Sequence, residues 1–98
     1  MSGGPGLDAA TRVERIRALV QDRLAPVQLE VLDESAAHAG HAGAAGGAGH
    51  FRVRVVSDAF SGLPRVQRHR LVYEALGSLL RSDIHALALT TLAPGETV

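Results

Sequence analysis

Apolar residues near the beginning of the chain recur every three or four positions, which predicts an amphipathic helix. The residues that share its apolar stripe are Val13, Ile16, Val20 and Leu24. Asp8 as an N-cap, or Thr11 and Glu14 as a capping box, would begin this helix. Pro26 ends it because proline disfavours helical geometry at the residue before it.

Two later segments alternate between apolar and polar residues, which predicts strands with one face on a core and one in water. On the first strand the core-facing residues are Val27, Leu29 and Val31. The second strand begins at His50 or Phe51, and its core-facing residues are Phe51, Val53 and Val55. Its opposite face is basic, since it carries Arg52 and Arg54.

A second helix is predicted to follow Pro64, which fits a first helical turn because its missing N–H would be unpaired there anyway. Its apolar stripe consists of Val66, His69, Tyr73, Leu76 and Leu80, with Val72 and Leu79 alongside, and the helix ends at Ser82 and Asp83. Gly77 lies inside this helix, where close packing against a neighbour would explain a glycine. A last strand at 84–92 is apolar on both faces apart from His85 and its threonines, as expected of a strand covered or paired on several sides.

The order of these elements is helix, strand, strand, helix, strand. The first two strands, joined by a loop, are expected to pair antiparallel. The second helix forms a crossover between strands two and three, and its right-handed form makes those strands parallel. The prediction is an α+β fold with a mixed three-stranded sheet, both helices on one face and the other face open.

The length of 98 residues is sufficient for one domain with a modest core. We expect a single domain over 1–98, with a flexible head at 1–7, a mobile loop at 35–49 and a tail at 93–98. The loop is assigned by composition, because it contains only Ala, Gly, His and Ser. The start of the chain lacks a basic flank followed by an apolar run, and no segment approaches the length of a membrane span, so we expect a cytoplasmic protein.

Charge and cysteine content narrow the possible chemistry. Ten basic residues balance ten acidic ones, so no global field attracts the protein to nucleic acid or to an anionic membrane. The absence of cysteine excludes disulfides and thiolate ligands from this chain. No activated nucleophile, paired-carboxylate motif or glycine-rich phosphate loop is present, and an enzyme is therefore not predicted.

Histidines are the remaining candidates for metal chemistry. His85 opens the last strand, and its structural alternative is to cap a helix end or to pack at the sheet edge. His38 and His41 are in the loop, where two histidines at this spacing are often solvated and have no functional role. His50 and His69 are assigned structural roles, because they lie at the mouth of a strand and on the apolar side of a helix. A zinc site is a third alternative, although the spacing fixes only two ligands.

Five segments, in this order along the chain, resemble the BolA family. They are Leu32-Asp-Glu-Ser35 followed by a histidine-bearing loop, His50-Phe-Arg-Val53, Val56-Ser-Asp-Ala-Phe60, Gln67-Arg-His-Arg-Leu-Val-Tyr73 and Ile84-His-Ala-Leu-Ala-Leu-Thr-Thr91. The resemblance extends from the first helix to the last strand. It implies a class II KH-like fold and two proposed roles.

The first role that the resemblance implies is partnership with a monothiol glutaredoxin of the CGFS type, in iron-sulfur trafficking or iron regulation. A two-iron two-sulfur (2Fe-2S) cluster is shared, with thiolates from the glutaredoxin and its glutathione and a histidine from this family, here His85. A second ligand is expected from the loop, which indicates His38, with His41 as a rival. The protein is then expected to be a monomer alone and a heterodimer with its partner.

The second role that the resemblance implies is transcriptional regulation by DNA binding, in which Arg65, Arg68 and Arg70 would meet phosphates. The segment 50–81 carries six arginines against Asp58 and Glu74, a local basic excess. The competing interpretation is a solvated helix surface with internal ion pairs, which the neutrality of the whole chain favours.

Overall fold

Three helices and three strands make up the fold, in a computed structural model that describes residues 9–35 and 49–97. Their order is α1 (Ala9–Leu24), β1 (Gln28–Asp33), β2 (Gly49–Val56), α2 (Arg65–Leu76), α3 (Leu79–Ser82) and β3 (Ile84–Leu92), with a short 3-10 turn at Asp58–Phe60. The predicted head at 1–7 and most of the predicted loop at 35–49 lie outside the described residues.

The sheet has the predicted mixed topology, in the order β1-β2-β3. β1 pairs antiparallel with β2, and β2 pairs parallel with β3. Residues facing one side of β2 pack with α1 and α2 into a single core, whose fully buried members include Ile16, Val20, Phe51, Val53, Val55, Val72 and Leu76. The predicted α+β fold, with helices on one face of a three-stranded sheet, is confirmed.

The first helix follows its prediction closely. Ile16 and Val20 are fully buried and Leu24 nearly so, as the spacing of three and four requires. The helix ends at Leu24, and Ala25 adopts a left-handed conformation with φ of 43° immediately before Pro26. The proline therefore coincides with a sharp change in chain direction, which begins β1.

Two predictions about the strands were wrong. Val27 was placed on the core face, but β1 begins one residue later and Val27 is 62% exposed. β3 was expected to be covered or paired on several sides, but among residues 9–35 and 49–97 its only partner in the sheet is β2, and Ala86 and Ala88 are exposed. β3 is therefore an edge strand, and its apolar composition reflects small side chains rather than burial on both faces.

The second helix is broken where one continuous helix was predicted. α2 ends at Leu76, and α3 resumes at Leu79 after a turn through Gly77. On α2 the buried residues are Val72, Ala75 and Leu76, so the predicted apolar positions of Val72 and Leu76 are confirmed. The prediction was wrong for Val66 and Tyr73, which are 68% and 43% exposed. After the break, Leu79 of α3 is buried, as its predicted place on the apolar side requires.

Gly77 is required by its backbone conformation and not by close packing, which corrects the sequence interpretation. Its φ is 55° and its ψ is −132°, and an added Cβ would approach nothing closer than 4.0 Å. Side-chain-bearing residues reach that region only with strain. We therefore expect Gly77→Ala to lower the free energy of unfolding by about 1–3 kcal/mol, measured by chemical denaturation.

A matched control for this substitution is Ser78→Ala, one residue further along. Ser78 is exposed, has an ordinary φ of −67° and makes no side-chain cap hydrogen bond. It should change the stability by less than about 0.5 kcal/mol. Equal losses in the two variants would contradict the assignment of strain to the backbone of Gly77.

Within the described residues, no helix combines the length and the apolar character needed to cross a bilayer. The longest, α1, has 16 residues and a polar face.

Candidate functional site

His85 occupies an irregular position at the start of β3. Gly49 pairs with Ile84 and His50 pairs with Ala86, so the register shifts and leaves His85 as an extra residue on β3. A bulge of this kind changes the direction of the side chain it carries. His85 is exposed, whereas Ile84 before it is buried and Leu87 after it packs against the core.

The bulge brings His85 next to a second histidine, on β2. The ring centroids of His50 and His85 are 5.0 Å apart and their planes are inclined by 48°. His50 alternates along β2 with the core residue Phe51, so it belongs to the open face of the sheet together with Arg52. The sequence interpretation gave His50 a structural role, and its proximity to His85 was not foreseen because it depends on the register of β2 against β3.

The backbone on both sides of this histidine pair is held by hydrogen bonds. The Gly49 N–H donates to the Asp83 carbonyl at 3.0 Å, and the His50 N–H donates to Ser35 Oγ at 3.0 Å. The His50 carbonyl accepts from the Glu34 N–H at 2.8 Å. The two imidazoles therefore project from fixed strand ends, and their remaining freedom is mainly rotation of the side chains.

A buried ion pair anchors the entry to β3. Arg12 Nε of α1 donates to Asp83 Oδ1 at 3.1 Å, and both side chains are at most 10% exposed. Ser82 Oγ donates to the other carboxylate oxygen at 2.7 Å. This contact fixes the residue two positions before His85 against the first helix, and the sequence analysis did not identify it.

The other predicted histidines are not part of the described pair. His38 and His41 lie outside the described residues. His69 is half-buried on α2 and meets the ring of Tyr73 edge-on at 6.4 Å. Partial burial, and secondarily the nearby Arg65 cation, lowers the pKa of His69. The structural role predicted for His69 stays a prediction.

The three arginines predicted to meet phosphates differ in their surroundings. Arg65 and Arg70 are exposed on α2, and the described residues form no ion pair with either. Arg68 instead makes a two-pronged contact with Glu96, at 2.6 and 3.0 Å, and also donates to the carbonyls of Leu63 and Thr91. Arg68 thus ties the C-terminal turn to α2.

A polar groove of about 610 Å³ lies between α2 and the second half of β3. Arg65, His69 and Leu89 are among its lining residues, and the Arg68–Glu96 pair forms part of its wall. The carboxylate of Glu96 offsets the charge of Arg68 there. Arg65 is consequently the lining arginine that has no described ion-pair partner.

The Arg68–Glu96 pair predicts a stability change in acid. Hydrogen bonds from Arg68, and then from the Ala93 N–H, lower the pKa of Glu96 from 4.5 to about 2. Because the pKa of Glu96 is lower in the folded chain than in the unfolded chain, the ionised carboxylate stabilises the fold. This stabilisation is complete above pH 4.5 and is lost as the pH falls toward 2. We expect Glu96→Gln to reduce the loss of stability in that window, as measured by denaturation at several pH values. An unchanged slope against pH would show that the pair contributes nothing.

The remaining basic residues of the open sheet face are also paired. Arg52 Nε donates to Glu34 Oε2 at 3.0 Å, and Arg54 donates to Gln28 Oε1 at 3.0 Å. Glu34 offsets the charge of Arg52, whereas Gln28 is uncharged and leaves the charge of Arg54 in place.

Among residues 9–35 and 49–97, no three His, Asp or Glu side chains converge into a metal site. The imidazoles of His50 and His85 meet where β2 and β3 begin. Neutral imidazole can take the place of thiolate on one iron of a two-iron cluster, as in Rieske centres. The donor set thus fits a cluster whose other ligands come from elsewhere.

Comparison with known proteins places these features in a family. The family model described as "BolA-like protein" matches residues 20–96. BolA-like protein 1 of Mus musculus is 46% identical over 95 residues, or 96% of this chain and 67% of that protein. The DNA-binding transcriptional regulator BolA of Escherichia coli (strain K12) is 44% identical over 78 residues, or 80% of this chain and 71% of that protein.

A solved structure supports the same relationship. The BolA domain of SufE1 from Arabidopsis thaliana superposes with a TM-score of 0.77 at 45% identity, covering 93% of this chain and 99% of that domain. The full SufE-like protein 1, chloroplastic/mitochondrial, is longer, and the chain spans only 27% of its length. The predicted cytoplasmic location is not confirmed by such relatives and stays a prediction.

Proposed function

The chain belongs to the BolA-like family, and we propose that it is a non-enzymatic partner of a CGFS monothiol glutaredoxin. In this proposal the two proteins share a 2Fe-2S cluster, and histidine from this chain ligates one iron. The role would lie in iron-sulfur trafficking or iron regulation.

The observation that carries the proposal is the position of His85. Its ring is exposed at a bulge, on a strand end fixed by the Arg12–Asp83 ion pair and by the Gly49–Asp83 hydrogen bond. An exposed imidazole on a rigid element is a suitable ligand for a cluster carried by a second protein, because little ordering is needed on binding.

The donor chemistry of the chain requires a partner. The sequence contains no cysteine, so every thiolate on the cluster would come from the glutaredoxin and its glutathione. Ligation by neutral imidazole raises the cluster potential and makes release sensitive to protonation. Both properties suit transfer of a cluster more than permanent storage.

The second ligand in this proposal is His38, from its spacing after Asp33-Glu34-Ser35, with His41 as its rival. Both follow β1 in the chain, and Ser35 is joined to the start of β2 by its hydrogen bond with His50. Ser35, the last described residue before His38, is therefore next to His50. A histidine on this loop could dissociate from its iron while His85 stays bound to the cluster.

Anaerobic reconstitution tests the proposal. The protein is mixed with a CGFS glutaredoxin, glutathione, iron and sulfide, and visible absorption and circular dichroism are recorded with the mass of the complex. We expect a one-to-one complex whose cluster spectrum differs from that of the glutaredoxin alone. A spectrum identical to the glutaredoxin's own cluster, with no complex, would contradict the proposal.

DNA binding is the second candidate, favoured by the name of the Escherichia coli relative. The exposed Arg65 and Arg70 would supply phosphate contacts from α2, whereas Arg68 is already engaged by Glu96. The neutral net charge of the chain argues for modest affinity at most.

If DNA binding occurs, Arg65→Ala and Arg70→Ala should each weaken it and reduce its salt dependence by about one counterion. Arg23→Ala is the matched control, because Arg23 is an exposed arginine on a different helix, α1. Fluorescence anisotropy against salt concentration measures the effect. Equal behaviour of all three variants, or no binding at low salt, would remove this candidate.

A further inference from the structure

The close approach of His50 and His85 has the geometry of a two-imidazole metal site. We propose that the protein alone binds a borderline divalent cation, such as Zn²⁺, between these two rings. The site would be open, with water completing the coordination. It shares His85 with the proposed cluster site but needs no partner and does not depend on it.

The separation of the rings agrees with coordination to one ion. A zinc ion lies about 2.0–2.1 Å from each ligating nitrogen, and hence about 3.2 Å from each ring centroid. A tetrahedral angle at the metal then separates two centroids by about 5.2 Å, and a right angle by about 4.5 Å. The observed 5.0 Å lies between these values.

The relative orientation of the rings also fits this assignment. Their planes are inclined by 48°, so the rings are not stacked face to face. Face-to-face stacking would direct the ring nitrogens away from a common point. Rotation about the side-chain bonds of the exposed His85 can adjust the remaining geometry at small cost.

The strand ends give the site preorganisation. The Gly49 N–H donates to the Asp83 carbonyl and the His50 N–H donates to Ser35 Oγ, and Asp83 is itself held by Arg12. The bulge at His85 explains why the two rings meet at all. Without the bulge, the side chains of β3 would alternate between the two faces of the sheet from its first residue. His85 would then lie on the core-facing side with Leu87 and Leu89.

The chemistry of the donors selects the class of ion. Imidazole prefers zinc, copper and nickel, whereas magnesium and calcium require oxygen ligands. Among the described residues no third protein ligand converges on the pair, so the affinity should be moderate and the ion exchangeable. Copper(II) would bind more tightly than zinc if both were present.

Zinc titration of the isolated protein at pH 7.5 tests the proposal. Long-range ¹H–¹⁵N spectra of the imidazole rings identify which histidines take the ion, and calorimetry gives the Kd. We expect the ring nitrogens of His50 and His85 to shift together and saturate at one ion per chain. His50→Ala and His85→Ala should each raise the Kd by at least about tenfold.

Three further variants make the result decisive. His69→Ala is the matched control on α2, and its Kd should remain within about twofold of the wild type. His38→Ala and His41→Ala test whether loop histidines hold the ion instead. Loss of zinc binding in either loop variant with no change in His50→Ala would overturn the proposal, as would zinc shifts confined to other histidines. The amide spectrum of each variant verifies that it is folded. Because no glutaredoxin is present, failure here leaves the cluster proposal standing.

Discussion

Replacing His85 by alanine is expected to remove the shared cluster from the complex with a CGFS glutaredoxin. The physical reason is that His85 is the exposed donor on a fixed strand end, while the chain contains no cysteine that could substitute for it. After anaerobic reconstitution, the visible circular dichroism of the mixed complex should revert to that of the glutaredoxin alone. Any residual cluster should decay faster on exposure to chelator.

The control for this prediction is His69→Ala, which removes a histidine from α2 without touching the start of β3. It should leave the spectrum of the mixed complex unchanged. His38→Ala and His41→Ala separate the two loop candidates, since only the true second ligand should alter the spectrum. If His85→Ala kept both the spectrum and the lifetime of the cluster, His85 would not be a ligand.

Breaking the buried ion pair at the entry to β3 is expected to cause the largest loss of stability among single polar substitutions. Asp83→Ala removes the carboxylate that pairs with the buried guanidinium of Arg12, and Ser82 Oγ loses the shorter of its two hydrogen bonds. Removing one partner of such a pair costs about 3–5 kcal/mol, a large fraction of the 5–15 kcal/mol that stabilises a typical domain. Chemical denaturation measures the loss.

Arg23→Ala is the matched control for the ion pair. Its contact with Asp22 is 3.8 Å long and both side chains are more than 60% exposed, so the substitution should change stability by less than about 0.5 kcal/mol. Asp83→Asn retains an acceptor for Arg12 and should lose less than Asp83→Ala. A loss in Asp83→Ala no greater than that in Arg23→Ala would show that the pair does not stabilise the fold.

The ion pair also connects stability with the candidate site. The Asp83 carbonyl accepts from the Gly49 N–H, so the residue that is paired with α1 also joins the beginnings of β2 and β3. His50 and His85 follow directly on those two strands. Loosening Arg12 or Asp83 should therefore weaken ligand binding at His85 in addition to lowering stability.

The sequence was sufficient for the fold because its strongest patterns are local. Ile16, Val20 and Leu24 follow a helical period, and Phe51, Val53 and Val55 follow a strand period, and all six are buried. Because the connection from β2 to β3 through α2 is a crossover, the two strands were predicted to be parallel, and they are. The sequence pattern failed at Gly77, where a positive φ divides one apparent helix into two.

The candidate site was only partly accessible from sequence. His85 was identified because it opens an otherwise apolar strand. Its neighbour His50 was missed because their contact depends on a register shift between β2 and β3, which leaves no mark on either strand by itself. Arg12 and Asp83 are far apart in the chain, and no local pattern indicates that they meet.

The central claim is that an imidazole of this chain ligates an iron of a shared 2Fe-2S cluster. The most direct measurement is pulsed electron paramagnetic resonance of the reduced complex, prepared with ¹⁵N-histidine in this chain and an unlabelled glutaredoxin. The account predicts ¹⁵N coupling of directly bound imidazole, and any cluster that remains in His85→Ala should lack the coupling from His85. A cluster-loaded complex of the wild-type protein without any ¹⁵N coupling would contradict it.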